Sequence, residues 1–142
     1  MKNKTIKEKL KQNQRLLTLW AADCAKHVLL YFEKEYPRDD RPRKAIEAAR
    51  AWAHGEMTVG AARTAALAAH AAARNANDPK ARAAARAAGH AVATAHVAGH
   101  APHAANYAIN AAEDSLKERE WQYQHLPKHL RPLMKKLKIF KL

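Results

Sequence analysis

Histidine is the residue type with the most chemistry to offer in this chain, and nine of the 142 residues are histidine. His96 and His100 stand four apart, the spacing that on a helix turns two imidazoles towards one zinc ion. His103 follows within the next turn, and His70 and His90 lie in segments that helix packing could bring alongside. The metalloprotease form of this pattern needs a glutamate directly after the first histidine. Val97 stands there, which excludes that hydrolytic chemistry. With no carboxylate or cysteine beside the histidines, no metal and no other cofactor is expected. The same imidazoles could sense pH, because they titrate near neutrality.

Cys24 is the single cysteine, so neither an internal disulfide nor a cysteine-based zinc site can form. Asp23 beside it would raise the thiol pKa rather than activate it. The residue therefore reads as a small core side chain, with Asp23 paired to a basic partner. Glycine-rich phosphate loops, a nucleophile elbow and paired acid/base carboxylates are all absent, and no enzyme is expected.

The elements that must position these residues are helical. The chain holds 34 alanines, 31 of them between Ala45 and Ala112. Alanine is the strongest helix former but buries little surface, so its helices must pack closely. No run of alternating β-branched or aromatic residues predicts a strand. The expected fold is all-α: a compact bundle of five to six alanine-rich helices anchored by Leu16, Trp20, Val28, Tyr31, Ile46, Trp52, Leu67, Val92, Tyr107, Ile109 and Trp121.

Punctuation along the chain divides it. Leu16, Trp20, Cys24, Val28 and Tyr31 follow helical spacing from about Arg15 to Glu35, where Pro37 ends the run. Asp39-Asp40-Arg41-Pro42 starts a second helix that stops at Gly55. Thr58 caps a third, to about Asn75. Asn77-Asp78-Pro79 opens a fourth, predicted to run to Gly99 with Ala85, Ala88, Gly89, Val92, Ala95, His96 and Gly99 on one face. Gly89 there predicts close approach of another helix. Pro102 opens a fifth that runs to about Gln124, with a capping box at Ser115–Glu118 as a point where it could break.

The formal charge of +13 is concentrated at the ends: +4 over residues 1–14 and +6 over residues 115–142, against +3 for everything between. The expected organisation is one domain over residues 1–142, with a basic extension (1–14), a helical core (15–126) and a basic tail (127–142). Such ends attract nucleic acid, anionic lipid or an acidic protein, or they serve solubility alone. In Lys135–Leu142 apolar residues interleave with lysines, which suits a membrane surface, an acidic partner or docking of Leu137 and Phe140 on the bundle. No signal peptide and no apolar run of spanning length is present, so a soluble, cytoplasmic protein is expected.

Leu19–Ala25, Asp39–Ala48, Ala68–Arg74 and Gly89–Ala101 together resemble a bacterial family of small, alanine-rich, all-helical immunity proteins attributed to polymorphic toxin systems. The Asp-Asp-Arg-Pro-Arg run and the spaced histidines carry the resemblance beyond alanine content. It implies a non-catalytic protein that binds and occludes a partner toxin, and the strong positive charge suits a toxin with an acidic surface. Arg41, Arg43, His70, His96 and His100 are the expected partner-binding residues. The alternatives are a nucleic-acid-associated protein working through its basic termini and a binder of a small anionic ligand. A homodimer would add apolar burial to an alanine-rich core.

Overall fold

The structure, a computed structural model, describes residues 5–136, with side chains as far as Met134. Those residues form α1 (Ile6–Val28), α2 (Leu30–Glu33), α3 (Arg41–Ala53), α4 (Val59–Asn75), α5 (Pro79–Ala93), α6 (His100–Ala111), α7 (Ser115–His125), a 3-10 turn (Lys128–Leu130) and α8 (Arg131–Lys136). The all-α class stands, but the helix number is corrected from five or six to eight. Leu29 breaks the first expected helix, the loop at Ala112–Asp114 divides the fifth, and α8 adds one in the stretch read as a tail. Lys135–Leu142, read as a surface-binding segment, lies largely outside the described residues. No helix among the described residues is long and apolar enough to cross a membrane.

Local chemistry explains most boundaries. Thr58 caps α4 and Asp78 caps α5, their side chains accepting from the backbone N–H groups of Ala61 and Ala81. Gly55, at φ 76°, takes the left-handed conformation that ends α3. At α3 the N-cap residue Asp40 makes no side-chain capping bond; it pairs with Lys44 one turn on, while Asp39 accepts from the Arg41 backbone and guanidinium. Asp114, not Ser115, caps α7. The full capping box is instead at Thr5 and Glu8, so α1 begins inside the basic extension.

Helix α5 is the hub. It touches α1, α2, α3, α4 and α6, and nine of its residues are buried, all of them Ala, Gly or Val. A helix buried on so many sides must be small on so many sides. The large core side chains gather around it and at the ends of the bundle: Leu17, Trp20, Leu29, Phe32, Ile46, Leu126, Leu130 and Met134. Leu67, expected as an anchor, is 70% exposed, because α4 turns its stripe Ala62, Ala66, Ala69 and Ala73 inward instead.

Candidate functional site

The most unusual polar arrangement lies where α4, α5 and α6 meet. His70 on α4 projects over Gly89 of α5, and a Cβ at position 89 would sit 2.6 Å from the imidazole. The close approach expected at Gly89 is therefore by a ring rather than by a backbone. Arg86 Nη1, one turn earlier on α5, donates to His70 Nδ1 at 2.9 Å. That contact requires Nδ1 to be unprotonated, so the neutral ring carries its proton on Nε2.

His90 is the centre of the cluster. Its ring meets His70 edge-on at 4.9 Å, lies parallel to Tyr107 at 5.3 Å, and stands 5.3 Å from His103. Its Nδ1 is 3.0 Å from His100 Nδ1, so one ring donates and the other accepts. Burial, and then the Arg86 charge, push His70 down to about 4. Burial, with the neighbouring rings of His70, His100 and His103, pushes His90 down to about 3. His100 is lowered too, chiefly by burial. These are neutral imidazoles at neutral pH, with Arg86 in direct contact and the Arg74 charge nearby.

The expected pairing of His96 with His100 is corrected. α5 ends at Ala93 rather than at Gly99, so the two residues share no helix; His96 is exposed in the turn and His100 opens α6. Just past its end, α1 reaches across: Gln14 Nε2 donates to the carbonyls of Thr94 and Ala95 at 3.0 and 3.1 Å. No group of three or more His, Cys, Asp or Glu among the described residues is disposed to hold a metal ion.

Beside the histidines, α5 and α6 enclose a groove of about 400 Å³ lined by Lys80, Arg82, Arg86, Tyr107 and Asn110. Its cations are braced by neutral acceptors. Lys80 Nζ donates to the carbonyls of Ala111 and Ala112, closing the C-terminal end of α6. Arg82 donates through Nε and Nη2 to the Ala76 carbonyl. None of the three takes part in an ion pair among the described residues. These residues were missed as a site. Their signal was the spacing of Arg82, Arg86 and His90 on one helix and of His103 and Tyr107 on the next.

Arg41 and Arg43 lie apart from this cluster, at the corner between α2 and α3. Arg41 forks onto Asp39, with Nη2 2.7 Å from Oδ2, and Arg43 Nε reaches Glu33 at 2.8 Å. Each guanidinium holds its carboxyl below the usual range. The structure thus joins His70 and His100 through His90, but leaves His96, Arg41 and Arg43 outside that cluster.

A second histidine group clamps α7 to α1. His27 Nδ1–H donates to Glu118 Oε2 at 2.7 Å, and Glu118 is buried. The His27 ring stacks on Trp121 at 4.0 Å, and His125 stacks on the same indole at 4.1 Å. One turn from His27, Cys24 is fully buried, its thiol pushed well up by burial and then by the Glu118 and Asp23 charges. Asp23 pairs with Arg50 at 3.1 Å. Such a thiol is no nucleophile at neutral pH.

The family model described as Imm-5 like putative immunity protein matches residues 8–129. No curated protein and no solved structure matches. The matched span runs from the first turns of α1 through the 3-10 turn before α8, and so includes both histidine groups and the groove. With most of its length in that match, the chain belongs to the Imm-5 like family of immunity proteins.

Proposed function

We propose that this protein acts by binding and occluding a partner toxin, without turnover. The observation that carries the reading is the family match over residues 8–129. The polar face of α4, α5 and α6 supports it, since it offers neutral hydrogen-bonding rings, an aromatic ring and cations with no carboxylate of their own. On this reading His70 and His100 belong to the central contact, with His96 beside them on the exposed turn. Arg41 and Arg43 are rim contacts of small individual weight, because each is already tied to a carboxylate.

The test is capture of the tagged full-length protein from its native cells after nuclease treatment, with washes at low and then high salt. A stoichiometric protein retained through high salt, whose toxicity is relieved by co-expression, is the expected result. Recovery of nucleic acid alone from an untreated control, lost as salt rises, would overturn the reading in favour of the basic termini.

A further inference from the structure

We propose that the groove between α5 and α6 is the docking site for an acidic segment of a partner protein, bearing two carboxylates one helical turn apart. The inference rests on the partner-binding reading and names the chemistry that the partner must supply.

Three features of the groove point to this occupant. First, Lys80, Arg82 and Arg86 are cations without a carboxylate partner among the described residues, all placed on the α5 side of a concave surface. The nearby Asp78 is committed to the N-terminus of α5, where Oδ2 accepts from Ala81 N–H at 2.8 Å. Second, each cation is held by a neutral acceptor that uses only part of its donor set. Among the described residues Arg82 Nη1 has no acceptor, and Arg86 has N–H groups beyond the one given to His70. The donors are thus positioned before a ligand arrives, which lowers the ordering cost of binding.

Third, the spacing suits a protein segment that carries two anionic groups. Arg82 and Arg86 are one turn apart, a rise of about 6 Å along the helix. Carboxylates at i and i+4 of a partner helix share that spacing, and the two guanidiniums are held on different acceptors, the Ala76 carbonyl and His70 Nδ1. Tyr107, fixed by its parallel contact with His90, adds a flat amphipathic surface, and Asn110 supplies an amide.

The experiment titrates the full chain with two labelled alanine-based helical peptides of about 16 residues, long enough for measurable helicity. One carries two glutamates at i and i+4; the other carries them at i and i+2, on opposite faces. Affinity is read by anisotropy, and location by the NMR signals of Tyr107 and Asn110. The i,i+4 peptide should bind several-fold more tightly and shift those signals. Arg82→Gln should weaken it about tenfold, as should Arg86→Gln. Arg63→Gln, which removes equal charge from an exposed position of α4, should change it less than about twofold, as expected of a screened surface charge.

Equal affinity for the two peptides would overturn the proposal. So would an equal loss in the Arg63 variant, or unmoved Tyr107 and Asn110 signals at millimolar peptide. Displacement by lower concentrations of inorganic phosphate or of a single-stranded oligonucleotide would make this a phosphate site and overturn it as well. Failure to capture a toxin would sink the functional reading while leaving peptide selectivity intact, so the two failures are distinguishable.

Discussion

The two histidine groups use one side chain for opposite purposes. At the junction of α1 and α7, His27 donates to a buried carboxyl and lies flat on Trp121, so the imidazole fastens two helices. Between α4, α5 and α6, the imidazoles lean on one another and on Arg86, with no carboxyl in the contact set. The first group pairs its imidazole with a carboxyl of the chain itself, although Glu118 Oε1 is buried without a partner among the described residues. The second is arranged around a cation and opens beside a groove. A histidine's role is therefore read from what it faces.

The largest effect should come from undercutting the first group. Trp20 is buried, and its Nε1–H donates to the Gln122 carbonyl of α7 at 2.9 Å. Trp20→Ala should cost about 3–5 kcal/mol, measured by urea unfolding. Glu118→Ala removes the acceptor of His27 and should cost about 1–3 kcal/mol. Glu118→Gln, which preserves an acceptor oxygen, should lose less. If Glu118→Ala left stability unchanged, His27 and Glu118 would not be a fastening.

The second group should instead give itself away through pH. The folded chain resists protonation of His70 and His90 until about 4 and about 3, whereas unfolded imidazole accepts a proton near 6.5. Protons therefore favour the unfolded state between those limits. Stability should be complete above about pH 6.5 and fall by several degrees of Tm as pH drops towards 4. The charged and titratable groups facing the cluster are Arg86, Arg74, His96, His100 and His103. His90→Gln should flatten that slope. The carboxyls of Glu33 and Asp39, lowered by Arg43 and Arg41, act in the same direction but set in only at the ordinary carboxyl range, so the upper part of the slope belongs to the histidines alone.

Gly89→Ala should have the smallest effect on stability. The helix-propensity gain of about 1 kcal/mol is set against displacement of the His70 ring. The net change should be under about 1 kcal/mol, but the His70 resonances should move strongly and the Arg86 contact should be lost. An unmoved His70 spectrum would mean that the ring does not lie over Gly89.

Much of the architecture was legible because its signals are local. Asp78-Pro79, Thr58 and Gly55 each act within a few residues, and each sits at a helix end. What escaped depends on distant partners. Nothing near Thr94 announces that Gln14, eighty residues earlier, will take its carbonyl, so α5 reads as continuing and His96 reads as a helical neighbour of His100. Ser115–Glu118 reads as a capping box, but Glu118 is drawn inward by His27. Size misled at Leu67, where a face of alanines, not the larger leucine, turns inward. The histidine types were visible as candidates, whereas the groove required knowing that α5 and α6 lie side by side.

The buried surface of α5 consists of methyl groups, a glycine and one valine. Alanine and glycine have no rotamers to freeze on folding and none to reshuffle afterwards. An interior of this kind cannot absorb a local push by letting a side chain flip into a neighbouring void. A force applied along the outer edge of α5 must be passed on as a displacement of the whole rod against α1, α3, α4 and α6, which makes this helix a stiff lever at the centre of the molecule.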